Sequence, residues 1–164
     1  MFIFDNVCDI SLIETYKIKI QMHYEKMLAE GNPPMSWYPT RNIRIKNDPI
    51  VNIIQEFLQS RIKMTTECAD CELQTWPIDS FSPLHDHADP FFNRQSGDYN
   101  SILYLNEDFE GGEFFTGDGI LIKPKCNRLT FFNGNVVKHG LRKVKKTHRH
   151  GIIFWWKNTK FQAS

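Results

Sequence analysis

The chain has 164 residues, 41% hydrophobic and 24% charged, with a formal net charge of +1. That is the length and composition of one globular domain, and it excludes a chain too polar to bury a core. The near-neutral balance gives no general attraction to nucleic acid or an anionic membrane, so neither is expected as a partner.

The opening "MFIFDNVCDI" lacks a basic region and meets Asp5 at once, which predicts neither a secretory leader nor a membrane span. Over residues 9–30, Ile13, Tyr16, Ile20, Tyr24 and Met27 recur at steps of three and four, the stripe of an amphipathic helix. Gly31-Asn32-Pro33-Pro34 stops it. Asp48 is placed to cap a second helix and Pro49 suits its first turn, with Ile50, Ile53, Ile54, Phe57, Leu58 and Ile62 as its stripe. Residues 1–65 thus read as helical support. Cys68 and Cys71 have the spacing of half a zinc site or a redox pair, but no second pair exists and a strand follows instead of a helix. They are read as reduced thiols, which points to a cytoplasmic location.

From residue 70 onward, "ELQTW", "NSILYL", "GEFFT", "GILIKP", "RLTFF" and "GIIFWW" alternate with the turn signals "NEDFEGG", "GDG" and "NGN". Short strands at regular spacing predict a β-sandwich or barrel over residues 70–160, with the helices packed outside it in one domain, 1–164. Phe131 and Phe132 are expected to pack the barrel. Trp155 and Trp156, as strand neighbours, should face opposite ways.

The stretch "LHDHADP" holds an H-x-D unit, His87 and Asp89. On a strand, positions i and i+2 share a side, so an imidazole and a carboxylate can meet one cation. His139 lies 50 residues beyond Asp89 and supplies a third donor. Two imidazoles and one carboxylate on one side of a metal leave positions open, a pattern suited to non-haem Fe(II). His85 and Asp86 are placed on the other face or the rim. Arg149 follows His139 by ten residues; spacing alone reads it as a surface cation, but buried near a metal it would need an anion.

These segments ("HAD", "YNSILYLNEDFEGGEFF", "IKPKCNRLTFF", "KHGLRKV" and "RHGIIFWW", in that order) resemble the catalytic core of Fe(II)/2-oxoglutarate-dependent oxygenases of the prolyl hydroxylase type, with the pattern of prolyl 3-hydroxylase catalytic domains. The resemblance implies a mainly β fold with N-terminal helices, a double-stranded β-helix or jelly roll. It implies His87, Asp89 and His139 as iron ligands, and Arg149 and Tyr104 as partners of the distal carboxylate of 2-oxoglutarate. Gly111-Gly112 would shape a hairpin. The implied reaction uses Fe(II), 2-oxoglutarate and O2, with ascorbate as a supporting reductant, to hydroxylate a C–H bond while releasing succinate and CO2. The implied substrate is a prolyl residue in a peptide or protein, with a free amino acid or other small molecule as the alternative. Trp76 stands near where many relatives carry a 2-oxoglutarate-binding tyrosine, but the spacing does not assign it that role. Phe91, Phe92 and Arg94 are candidate substrate contacts. Two rival classes stay open: a non-enzymatic jelly-roll binding module, and a cupin-type enzyme with three histidine ligands, which would recruit His85.

Overall fold

The computed structural model describes residues 1–31, 41–63, 65–87 and 98–158. Helix α1 spans Ile10–Ala29 and α2 spans Pro49–Ile62. Asp9 caps the first by accepting from the Ser11 amide at 2.8 Å. Asp48 caps the second by accepting from Ile50 N at 3.2 Å. Asp48 also accepts from the Tyr16 hydroxyl and faces Lys19 Nζ at 3.6 Å, so one cap carboxylate ties the two helices together. Ile13, Tyr16, Ile20 and Tyr24 of α1 are buried as the stripe predicts. In α2 the buried set is Ile50, Val51, Ile54 and Leu58. Ile53 turns to solvent because the buried stripe follows 50, 54 and 58.

Twelve strands are present among the described residues: β1 Phe2–Asp5, β2 Arg41–Arg44, β3 Thr66–Trp76, β4 Ser82–His85, β5 Tyr99–Tyr104, β6 Glu110–Gly111, β7 Phe114–Thr116, β8 Leu121–Ile122, β9 Arg128–Phe132, β10 His139–Leu141, β11 Val144–Lys145 and β12 Arg149–Asn158. They form a six-stranded sheet ordered β1-β9-β5-β12-β3-β2, a four-stranded sheet ordered β4-β10-β7-β8, and the β11-β6 ribbon. All pairings are antiparallel. This is the mainly β, jelly-roll architecture expected, with helices on the outer face of the large sheet.

The expectation that residues 1–65 are helical needs correction. Two strands from this region, β1 and β2, close the two edges of the large sheet. Each has four residues, too few for a period-two pattern to stand out. A cluster of opposite charges holds β1: Asp5 Oδ1 accepts from Arg128 Nε at 2.7 Å, and Oδ2 meets Lys125 Nζ at 2.9 Å.

The main core lies between the helices and this sheet. It includes Ile13, Ile20, Ile54, Leu58, Cys71, Leu73, Leu103, Leu129, Ile152, Phe154 and Trp156. All four cysteines are unpaired. Burial pushes the Cys68 thiol up to about 12 and Cys71 further still, which makes both inert core side chains. Trp156 stacks on Phe154 and donates its indole N–H to Ser101 Oγ at 2.8 Å. Trp155, its neighbour, takes the opposite face and is partly exposed.

Candidate active site and metal centre

The inner face of the large sheet is built differently. Along β5, Tyr99, Ser101 and Leu103 turn to the helices, so Asn100, Ile102 and Tyr104 turn inward. Across from them, β4 and β10 of the small sheet bring in His85 and His139, with His87 just beyond the end of β4. His139 opens β10, paired with His85 on one side and Thr116 on the other. Its ring stacks on Phe114 at 5.3 Å and meets Phe132 edge-on at 4.8 Å. Phe131 faces the main core, so of the two expected packing phenylalanines only Phe132 touches the site.

His139 Nδ1 lies 2.7 Å from Val137 O. A carbonyl oxygen only accepts, so Nδ1 carries the proton and Nε2 the lone pair. His87 is held twice. Its amide donates to Gly134 O at 2.9 Å, and its Nδ1 donates to Asn100 Oδ1 at 3.0 Å. Gly134 is required here: a Cβ on it would sit 2.0 Å from Asn100 Oδ1 and 2.7 Å from His87 Nδ1. Burial depresses both imidazoles, His139 down to about 3. Both rings are therefore neutral at pH 7, the form that binds a cation.

One ring nitrogen from each of His85, His87 and His139 lies within 4.8 Å of the others. The placement of His85 away from the site is thus corrected. The rings of His85 and His87 stand 5.5 Å apart, and strand pairing sets His85 opposite His139. Asp86 is partly exposed. Asp89, and with it Phe91, Phe92 and Arg94, lies outside the described residues.

At the other end of the inner face, Arg149 opens β12 opposite Trp76 of β3. It is buried, with 3% of its surface exposed, not a surface cation. Its guanidinium lies over the Tyr104 ring at 4.9 Å and the Trp76 ring at 5.9 Å. Burial lowers the Arg149 pKa and raises that of Tyr104, the latter opposed by the Arg149 charge. Among the described residues no ion pair links a carboxylate to Arg149; its Nε lacks a hydrogen-bond partner, and the Tyr104 hydroxyl has none beyond the Arg149 guanidinium, each group shifting the other's pKa. The Gly111-Gly112 turn, with φ of +68° and +63°, packs against this end; a Cβ on Gly112 would lie 3.3 Å from Arg149 Cδ and collide with Phe109.

Of five buried polar side-chain atoms without partners among the described residues, four belong to Asn100, Tyr104, Thr130 and Arg149 on this inner face. Unpartnered buried polar groups are costly unless a ligand satisfies them. Fold and site together define a jelly roll with a cluster of neutral imidazoles at one end of its inner face and a buried guanidinium–phenol pair at the other.

Residues 79–157 match the family described as the 2OG-Fe(II) oxygenase superfamily. A stretch of 66 residues is 39% identical to human prolyl 3-hydroxylase 2, covering 36% of this chain and 9% of that protein. The chain thus spans only a small part of the length of such relatives. The fold is similar to a Pseudomonas putida prolyl-4-hydroxylase (TM-score 0.68, 15% identity, 96% of this chain and 91% of that one). It is also similar to a Trichoplax adhaerens prolyl hydroxylase in complex with a hypoxia inducible factor peptide fragment (TM-score 0.73, 16% identity, 97% and 84%). A third similar fold is the viral collagen prolyl hydroxylase of Paramecium bursaria Chlorella virus-1 in its 2-oxoglutarate complex (TM-score 0.69, 16% identity, 97% and 96%). The three-imidazole cluster is what a cupin-type reading would require, but the family match and the buried Arg149 weigh against that class. Sequence reasoning did not find Asn100 and Gly134, which no motif marks. The H-x-H spacing of His85 and His87 was the available signal for His85.

Proposed function

We propose that this chain is an Fe(II)- and 2-oxoglutarate-dependent dioxygenase that hydroxylates a prolyl residue in a peptide or protein. The observation that carries it is the buried Arg149, without a carboxylate partner among the described residues, beside the Tyr104 hydroxyl on the same inner face as the imidazoles. The donor set fits the group: neutral imidazoles with Nδ1 tied back suit a divalent transition metal. His87, His139 and Asp89 would hold Fe(II), which supplies O2 activation coupled to decarboxylation of 2-oxoglutarate, yielding succinate, CO2 and the hydroxylated product. The protein's own part is positional. Val137 O and Asn100 fix the two ring tautomers. Arg149 and Tyr104 receive the distal carboxylate of the cosubstrate through a planar fork and a hydroxyl donor. Phe114, Phe132 and Trp76 wall the site with rings that keep bulk water out. No protein nucleophile or proton-transferring base is needed.

The prolyl assignment rests on the similar proteins named above, each named for prolyl hydroxylation. We further propose that residues 1–164 act as one oxygenase domain, with α1 and α2 bracing a core whose large sheet β1 and β2 complete, and that it works in the cytoplasm, consistent with four unpaired cysteines. No described helix is long and apolar enough to cross a membrane.

The test is succinate release from 2-oxoglutarate with Fe(II), ascorbate and air, with and without proline-containing peptides, and with His139→Ala as control. Iron-dependent turnover that peptides stimulate and the variant lacks is the expected result. Turnover that no peptide stimulates would move the substrate to small molecules. Absence of turnover in iron-loaded protein would favour a binding module.

A further inference from the structure

His85 has no place in the ligand set His87, Asp89 and His139, yet its ring stands among theirs. Its centroid is 4.5 Å from that of His139 and 5.5 Å from that of His87. The backbone dictates this, because His85 pairs directly with His139 across β4 and β10.

The hydrogen bonding is the stronger sign. All three histidines turn Nδ1 toward an oxygen of the chain: His85 to Pro83 O at 2.8 Å, His87 to Asn100 Oδ1 at 3.0 Å, His139 to Val137 O at 2.7 Å. In each ring Nδ1 then donates and Nε2 carries the lone pair. A back-bonded second nitrogen is what orients metal-bound histidine. His85 carries the same support as the two ligands beside it.

We propose, resting on the oxygenase reading, that His85 is a further metal ligand, which binds while 2-oxoglutarate is absent and gives up its position when the cosubstrate arrives. Three protein donors on a six-coordinate ion leave three positions, and a bidentate 2-oxoglutarate with O2 needs all of them. A fourth protein donor must therefore yield, and His85 is the one built to do so. His139 is wedged between Phe114 and Phe132, and His87 is fixed by Gly134 and Asn100. His85 is only half-buried, at the end of a four-residue strand on the edge of its sheet, next to a break in the β4–β10 register. The arrangement holds the metal firmly in the resting protein and makes 2-oxoglutarate compete for its place.

The probe is Co(II), titrated by calorimetry and by its visible absorption into metal-free wild type, His85→Ala, His85→Gln and His139→Ala, each first checked by thermal unfolding for a wild-type fold. Without 2-oxoglutarate, both His85 variants are expected to bind Co(II) about tenfold or more weakly, with an altered spectrum. With saturating 2-oxoglutarate the difference should vanish. By linkage, 2-oxoglutarate should bind the Co(II)-loaded His85 variants more tightly than wild type by the same factor. Equal Co(II) affinity and spectrum in wild type and both variants, with His139→Ala impaired, would overturn the role of His85 and leave the oxygenase reading standing. A defect that persists under saturating 2-oxoglutarate would overturn the displacement. Wild type that takes up no Co(II), or no better than His139→Ala, would sink the oxygenase reading itself.

Discussion

The two faces of the large sheet follow opposite rules. Toward the helices, its central strands present Leu103, Leu129, Phe131, Ile152, Phe154 and Trp156, all at most 2% exposed, and the one indole N–H among them finds Ser101 Oγ. Toward the small sheet, the same strands present Asn100, Tyr104, Thr130 and Arg149 with buried polar atoms left unpartnered among the described residues. Apolar burial on the first face drives folding. The second face opposes folding, because desolvated polar groups and a buried cation are unfavourable without a ligand. One sheet thus separates stability from chemistry by the two-residue period of its strands.

The sharpest way to break that comparison is to mutate one residue on each face. Trp156→Ala should lose about 3–5 kcal/mol of stability in urea unfolding of the metal-free protein, through lost burial and the cavity left behind. Arg149→Met should unfold no more easily than wild type, since it removes an unpaired buried charge. It should instead weaken 2-oxoglutarate binding by roughly 2–5 kcal/mol, read by titrating the iron-loaded protein without oxygen. An Arg149→Met protein as unstable as Trp156→Ala would erase the distinction between the faces.

A smaller effect belongs to the helix-side face, where His150 Nδ1 meets Thr75 Oγ1 at 3.0 Å. Burial pushes His150 from 6.5 down to about 4. The folded state therefore keeps this ring neutral while the unfolded chain takes up a proton below pH 6.5. Stability from this group is complete above that pH and should fall by roughly 2–3 kcal/mol as pH drops toward 4. His139 shifts the same way, so the difference between wild type and His150→Gln in pH-dependent thermal unfolding isolates the His150 share. Gly134→Ala should perturb the inner face alone, displacing Asn100 and His87 and lowering Co(II) affinity roughly 10–100-fold. The smallest effect is Asp5→Asn, which loosens β1 at an exposed ion cluster and should change unfolding free energy by less than about 1 kcal/mol.

The sequence made some of this legible for physical reasons. The helices were readable because their stripes run through three turns or more, Gly31-Asn32-Pro33-Pro34 stops the first, and Asp48 and Pro49 mark the start of the second. The longer strands were readable because aromatic and β-branched runs sit between turn residues. β1, β2 and β10 were not, since three or four residues carry too little period to stand out, and their partners are far away in the chain. In the site, the H-x-D unit and the distal histidine stood out as donor types, yet spacing alone left Arg149 on the surface; only the family resemblance moved it inside. His85 was set aside although the rule that joined His87 to Asp89 applied to it equally. Asn100 and Gly134 meet His87 from 13 and 47 residues away, and one is an ordinary strand asparagine and the other an ordinary turn glycine until the sheets close.

The most direct test of the two-ended site is calorimetric titration of 2-oxoglutarate into the Fe(II)-loaded protein without oxygen, repeated on the metal-free protein and on Arg149→Met. The account predicts one-to-one binding that needs the metal and is severely weakened in the variant. Binding that is indifferent to iron, or unchanged when Arg149 is replaced, would contradict it.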